Sequence, residues 1–117
     1  TLPEGTELWR TVRVGRDDLG EAAFWPCDLL LFDSAPGGTS GGTGKTFDWN
    51  AISGSVRERR FAVAGGLGPA NVGEAIRTAR PFAVDVASGV ESAPGEKDAA
   101  RIAEFVKAVR LTRVEKE

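Results

Sequence analysis

Histidine is absent from this 117-residue chain. Its absence excludes the Ser-His-Asp triad, HExxH zinc sites and imidazole acid-base chemistry together, so any proton transfer falls to carboxylates, lysine or cysteine. Cysteine occurs once, as Cys27. One thiol cannot make an internal disulfide or a thiolate metal cluster, as expected of a reducing compartment. Methionine is also absent, so Thr1 is either exposed by initiator removal or an internal point of a longer chain. No apolar stretch approaches the roughly 18 residues of a membrane span, and residues 1–10 lack the basic-then-apolar pattern of a signal peptide. A cytoplasmic protein without a membrane partner is the expectation. Fifteen basic and 17 acidic side chains leave a net charge of −2. Like charges do not cluster into runs, so no nucleic acid partner is expected. The length suits one ordinary domain.

Apolar runs bounded by Gly and Pro alternate with stretches of helical composition, which predicts four strand-then-helix units. The strands are expected over residues 6–14, 27–33, 61–64 and 82–86. CDLLLFD at 27–33 is nearly continuously apolar, as in parallel strands covered on both faces. Asp17 or Asp18 can cap a short helix running toward Phe24, and Asp48 a helix over 49–58 that Ser53 and Gly54 weaken. Pro69 suits the first turn of a helix over 69–80. Asp98 caps the last helix, in which Ile102, Phe105, Val106 and Val109 share one face by spacing. The charged stretch 111–117 reads as a fraying tail. Strands joined through helices argue for a parallel α/β sheet with right-handed crossovers. A complete (β/α)8 barrel takes roughly 200 residues or more, so four units make about half of one.

Glycines gather where strands end: Gly37, Gly38, Gly41, Gly42 and Gly44 after the second, Gly65 and Gly66 after the third, Gly89 after the fourth. In parallel α/β folds that edge binds ligands. Glycine permits close backbone approach, and helix N-termini offer free N–H groups, a combination suited to phosphate; plain turn formation is the alternative. Gly44-Lys45-Thr46 is not a P-loop, because the pattern G-x-x-x-x-G-K-[ST] needs glycine where Thr39 stands. A Gly-rich lid that packs Phe47 and Trp49 back on the fold is the better reading. Asp33 closes the second strand beside Leu29 and Leu31 of the same face. Apolar neighbours raise a carboxyl's pKa, which suits a general acid; a capping or loop-bonding Asp is the alternative. Asp85 sits likewise on the fourth strand, where Ala83 and Ala87 leave room for a ligand. Cys27 starts the strand that Asp33 ends, about 20 Å away at roughly 3.3 Å per residue, and reads as structural.

The strings LLLFDS, GGTGKTFDW, FAVAGGLGPANVGEAI and RPFAVDVASGVESAPGEKD, with the closing I-x-x-F-V-K helix, together resemble the phosphoribosylanthranilate isomerase family. They look like strands five to eight of its (β/α)8 barrel, with residues 1–110 as the half-barrel and 111–117 as a tail. The resemblance implies an Amadori rearrangement of N-(5'-phosphoribosyl)anthranilate in tryptophan biosynthesis, with no cofactor and no metal. It implies Asp33 as general acid, Gly65, Gly66, Ser88 and Gly89 in two phosphate-binding loops with Asn71 opening the adjacent helix, and Asp85 near the ribose. Gly42, Gly44 and Lys45 would belong to the closing lid. The family's general base is a cysteine in a KxCG-type motif of strand one, which this sequence lacks. The resemblance therefore implies little or no activity for the chain alone, and a partner in the form of the missing N-terminal half-barrel or a second copy. Another phosphosugar isomerase half-barrel, or a noncatalytic self-associating half-barrel, are the alternatives.

Overall fold

The computed structural model describes residues 2–34, 46–52 and 54–112. Four parallel strands lie side by side in chain order: β1 (Trp9–Val14), β2 (Leu29–Ser34), β3 (Phe61–Val63) and β4 (Ala83–Val84). Trp9 pairs with Leu29 and Val14 with Ser34; Leu30 pairs with Phe61, and Ala62 with Ala83. Parallel neighbours need crossover connections, and helices supply those from β1 to β2 and from β3 to β4. α1 (Leu19–Ala22) follows β1, α2 (Val72–Ala79) follows β3, and α3 (Ala99–Leu111) closes the order.

Side chains alternate across a strand, and here the two faces differ. Val12, Leu30, Phe32 and Val63 are fully buried, in one cluster with Ala22 of α1, Val72 and Ala75 of α2 and Phe105 of α3. Phe32 and Phe61 meet edge to face at 5.7 Å, the geometry their ring quadrupoles prefer. The opposite face, which carries Trp9, Thr11, Arg13, Leu29, Leu31, Asp33, Ala62 and Ala83, lies outside that cluster, although Leu29 and Ala62 on it are buried. Trp9 on it remains 52% exposed. The observed class is thus α/β with a four-stranded parallel sheet whose helices pack on one side.

Several expected boundaries shift. β1 starts at Trp9 rather than residue 6, because the chain turns first, with the Thr6 N–H donating to Pro3 O. β2 starts at Leu29, leaving Cys27 ahead of the strand, where the Arg59 guanidinium donates to its Sγ and carbonyl. The helix expected over 49–58 is two 3-10 turns, Trp49–Ala51 and Gly54–Glu58. The chain straightens between them at Ile52, whose fully buried side chain plugs the core, so packing overrides a weak helical propensity. Asp48 caps the first turn through Asn50 N as expected. α1 is capped by Asp18, whereas Asp17 accepts from Arg13 N. α2 begins only at Val72, and β4 holds two residues, although the Phe82 and Asp85 N–H groups extend its ladder to β3. Asp98 caps α3 by accepting from Ala100 N and Arg101 N. The buried stripe of α3 runs through Phe105, Ala108 and Val109. Ile102 and Val106 lie on its flank, 41% and 39% exposed, because a 100° step per residue turns them away from the centre of the contact. Between β4 and α3 the expected loop contains an antiparallel hairpin, β5 (Glu91–Ala93) and β6 (Glu96–Lys97). Leu111 is still helical, and 113–117 lie outside the described residues.

If the covered face holds the fold together, Phe32→Ala should cost about 3–5 kcal/mol, whereas Leu31→Ala on the open face should cost much less. Urea unfolding of both variants measures the difference; equal losses would contradict the division of the sheet.

Candidate functional site

The C-terminal ends of β2, β3 and β4 converge on a cleft of about 70 Å³ lined by Asp33, Ala64, Gly65, Gly66, Leu67, Asp85, Val86, Ala87 and Ser88. Parallel pairing puts these ends at one edge. The ladder reaches into the loops, with Ala64 N donating to Phe32 O and Asp85 N to Val63 O. Gly65 and Gly66 turn the chain with φ of 90° and 69°, a region that glycine enters without steric cost. Space matters as much as angle: a Cβ on Gly65 would stand 2.5 Å from both Asp33 Oδ1 and Ser34 Oγ. The carboxyl therefore lies directly beneath the turn.

Asn71 occupies the N-cap position of α2 but makes no side-chain cap bond. Its Oδ1 accepts from Gly68 N at 2.8 Å and its Nδ2 donates to Gly66 O at 3.0 Å. Both ends of the amide thus hold the loop rather than the helix. Ser88 and Gly89 lie in a 3-10 turn, Ser88–Val90. A Cβ on Gly89 would collide with the Leu67 carbonyl oxygen, so glycine is what lets the two loops touch. The structure brings Asp33, Gly65, Gly66, Asp85 and Ser88 to one cleft, with Asn71 and Gly89 behind it as supports. Gly42, Gly44 and Lys45 of the expected lid lie outside the described residues, whereas Phe47 and Trp49 pack on the core.

Asp33 Oδ1 is buried and meets no hydrogen-bond partner among the described residues. Burial raises the Asp33 pKa above the ordinary carboxylate value; the charge of Arg13 and the Ser34 backbone N–H oppose the rise, and Asp85 adds to it. A carboxyl so placed holds its proton to higher pH and lines the cleft, which fits a proton donor. Arg13 is the residue that sequence reasoning overlooked. It pairs in register with Asp33 on the neighbouring strand; only the β1–β2 register, unread from sequence, could have revealed it. A larger cavity of about 610 Å³ lies at the opposite end, among Arg57, Phe61, Arg77, Thr78, Ala79 and Arg80. Its Arg57 is committed to the fold, donating to Ile52 O and Ala79 O. Among the described residues no three His, Cys, Asp or Glu side chains could hold a metal ion, and no helix is long and apolar enough to cross a membrane.

The family model for N-(5'phosphoribosyl)anthranilate (PRA) isomerase matches residues 1–108. This chain belongs to the phosphoribosylanthranilate isomerase family. A relative with that name from Leptospira borgpetersenii serovar Hardjo-bovis is 54% identical over 86 residues, covering 74% of this chain and 39% of the relative. Among solved phosphoribosylanthranilate isomerases, the one from Thermus thermophilus superposes with a TM-score of 0.74 at 29% identity, over 90% of this chain and 50% of its own. Another, solved in complex with reduced 1-(o-carboxyphenylamino)-1-deoxyribulose 5-phosphate, superposes with a TM-score of 0.64 at 36% identity, over 87% and 46%. The chain thus spans half or less of the length of these isomerases.

The raised pKa of Asp33 fixes the sign of a stability effect. A carboxyl that binds its proton more tightly when folded contributes most below its unfolded pKa, and that contribution is lost as pH rises through the folded value. Asp33→Asn, which has no proton to lose, should therefore melt higher than the parent at pH 7, and the gain should vanish near pH 3. A gain independent of pH in thermal melts would contradict a buried, titrating Asp33.

Proposed function

We propose that this chain is the second half, strands five to eight, of a (β/α)8 phosphoribosylanthranilate isomerase, with residues 1–110 as the half-barrel and 111–117 as its tail. The open sheet face, with Trp9 and Leu31, would be the barrel interior. Four further strands would complete it, carried by the missing N-terminal half, or a second copy of this chain would cover it. The substrate is N-(5'-phosphoribosyl)anthranilate. Its phosphate would sit on the N–H groups of the loops at Gly65-Gly66 and Ser88-Gly89, where free donors and α2's dipole favour an anion.

The chemistry follows from the position of Asp33. As the bond between C1 and the ring oxygen breaks, the Asp33 carboxyl gives its proton to that oxygen, and the nitrogen lone pair forms the C1=N bond of an iminium. Loss of the C2 proton to a base then gives the enolamine, which tautomerises to the aminoketose. The base comes from the first half; Cys27 lies at the far end of β2, bonded to Arg59. Asp85, which lines the same cleft, would bond a ribose hydroxyl. The observation that carries this reading is the buried, unpartnered Asp33 Oδ1 beneath a glycine turn.

In a complete barrel formed with a cysteine-bearing first half, Asp33→Asn should lower kcat by roughly 10²–10⁴, the range for losing a general acid. KM should change far less, because the phosphate grip lies on other strands. Cys27→Ser should leave kcat within a few-fold. Steady-state kinetics that showed Cys27→Ser inactive and Asp33→Asn active would reverse the assignment.

A further inference from the structure

The 3-10 turn at Ser88–Val90 has no strand continuing through it and no apolar side chain of its own large enough to anchor it except Val90. What fixes it comes from the hairpin that follows. Lys97 Nζ donates to Ala87 O at 3.0 Å, immediately before the turn, and to Glu91 Oε2 at 2.6 Å, immediately after it. The other Glu91 oxygen accepts from Gly95 N at the hairpin tip, 3.1 Å away. The Val90 and Glu91 carbonyls accept from Asp98 N and the Arg101 guanidinium. On the opposite side Gly89 is pressed against Leu67. A single ammonium thus bridges the two ends of the turn, while a neighbouring loop blocks its retreat.

We propose that Lys97 is a positioning residue for the phosphate loop at Ser88-Gly89, acting through the Ala87 carbonyl and the Glu91 carboxylate. The inference rests on the proposed phosphate site and adds what sets its geometry. Lys97 and Glu91 form a pair at the rim of the fold, the lysine side chain 49% exposed and the glutamate 15%. Ion pairs near the surface add little to folding, so the bridge matters little to overall stability. Anion binding by backbone N–H groups depends instead on where those groups point. A turn that pivots about Gly89 loses its aim while the sheet stays intact.

The test is calorimetric titration of the isolated chain with inorganic phosphate, beside thermal melts without phosphate. Lys97→Met keeps the stem and removes the donors; its phosphate Kd should rise on the order of tenfold, the effect of losing a hydrogen bond to a charged group, with a melting temperature close to the parent's. Lys97→Arg, which can still reach both acceptors, should bind within a few-fold of the parent. An unchanged Kd for Lys97→Met while the parent binds phosphate would overturn the role of Lys97 alone. A weakened Kd accompanied by a large fall in melting temperature would make Lys97 a stabilising residue and also overturn it. Absence of phosphate binding by the parent would overturn the phosphate site, and the role of Lys97 with it.

Discussion

Leu30 and Phe32 leave β2 on one side, Leu31 and Asp33 on the other, and the sheet is held by the first pair. Everything at the site depends on that alternation. Val12, Leu30, Phe32 and Val63 commit one face to the helices, which fixes the register of β2 and puts Asp33, next to last in the strand, on the opposite face. A slip of one residue would turn the carboxyl toward the Val12 and Val63 face and turn Phe32 away from it, an exchange unfavourable on both counts. The hydrophobic core thus specifies where the acid sits without touching it.

The loops are built by close approach. Gly65 allows the β3 turn to lie on the Asp33 carboxyl, Gly89 lets the β4 turn lie on Leu67, and the Asn71 amide ties Gly66 to Gly68. None of these contacts buries much apolar area. They instead pack loop backbone against the Asp33 carboxyl, whose buried Oδ1 meets no hydrogen-bond partner among the described residues, an arrangement that costs stability. The same economy explains why the more spacious arginine-lined groove is the weaker candidate: its Arg57 already completes the end of α2.

Much of this was legible in the sequence because it depends on local pattern. The apolar run LLLFD announced β2 and the parity of Asp33, Asp48 and Asp98 announced their caps, and the paired glycines announced the β3 turn. Features that depend on tertiary contact were not legible. Ile52 enters the core and splits an expected helix into two 3-10 turns. Arg13 faces Asp33 only through strand register. The amide of Asn71 turns back to the loop instead of capping α2, and the hairpin through Gly95 was hidden in a stretch that read as loop. The exposure of Ile102 and Val106 on α3 shows the same limit, since spacing identifies a stripe but not which part of it meets the core.

Parallel sheets are ordinarily covered on both faces, and the chain spans half or less of the length of the solved relatives; both facts support the proposal that the face opposite the helices is a barrel interior. In this proposal the glycine edge, rather than the arginine groove at the other end, is where the chain holds an anion. Amide ¹H–¹⁵N spectra of the isolated chain titrated with inorganic phosphate address both ends at once. Saturable shifts at Gly65, Gly66, Ser88 and Gly89, with Arg57, Arg77 and Arg80 unmoved, are the predicted result; saturation around those arginines with the glycine amides unmoved would contradict it.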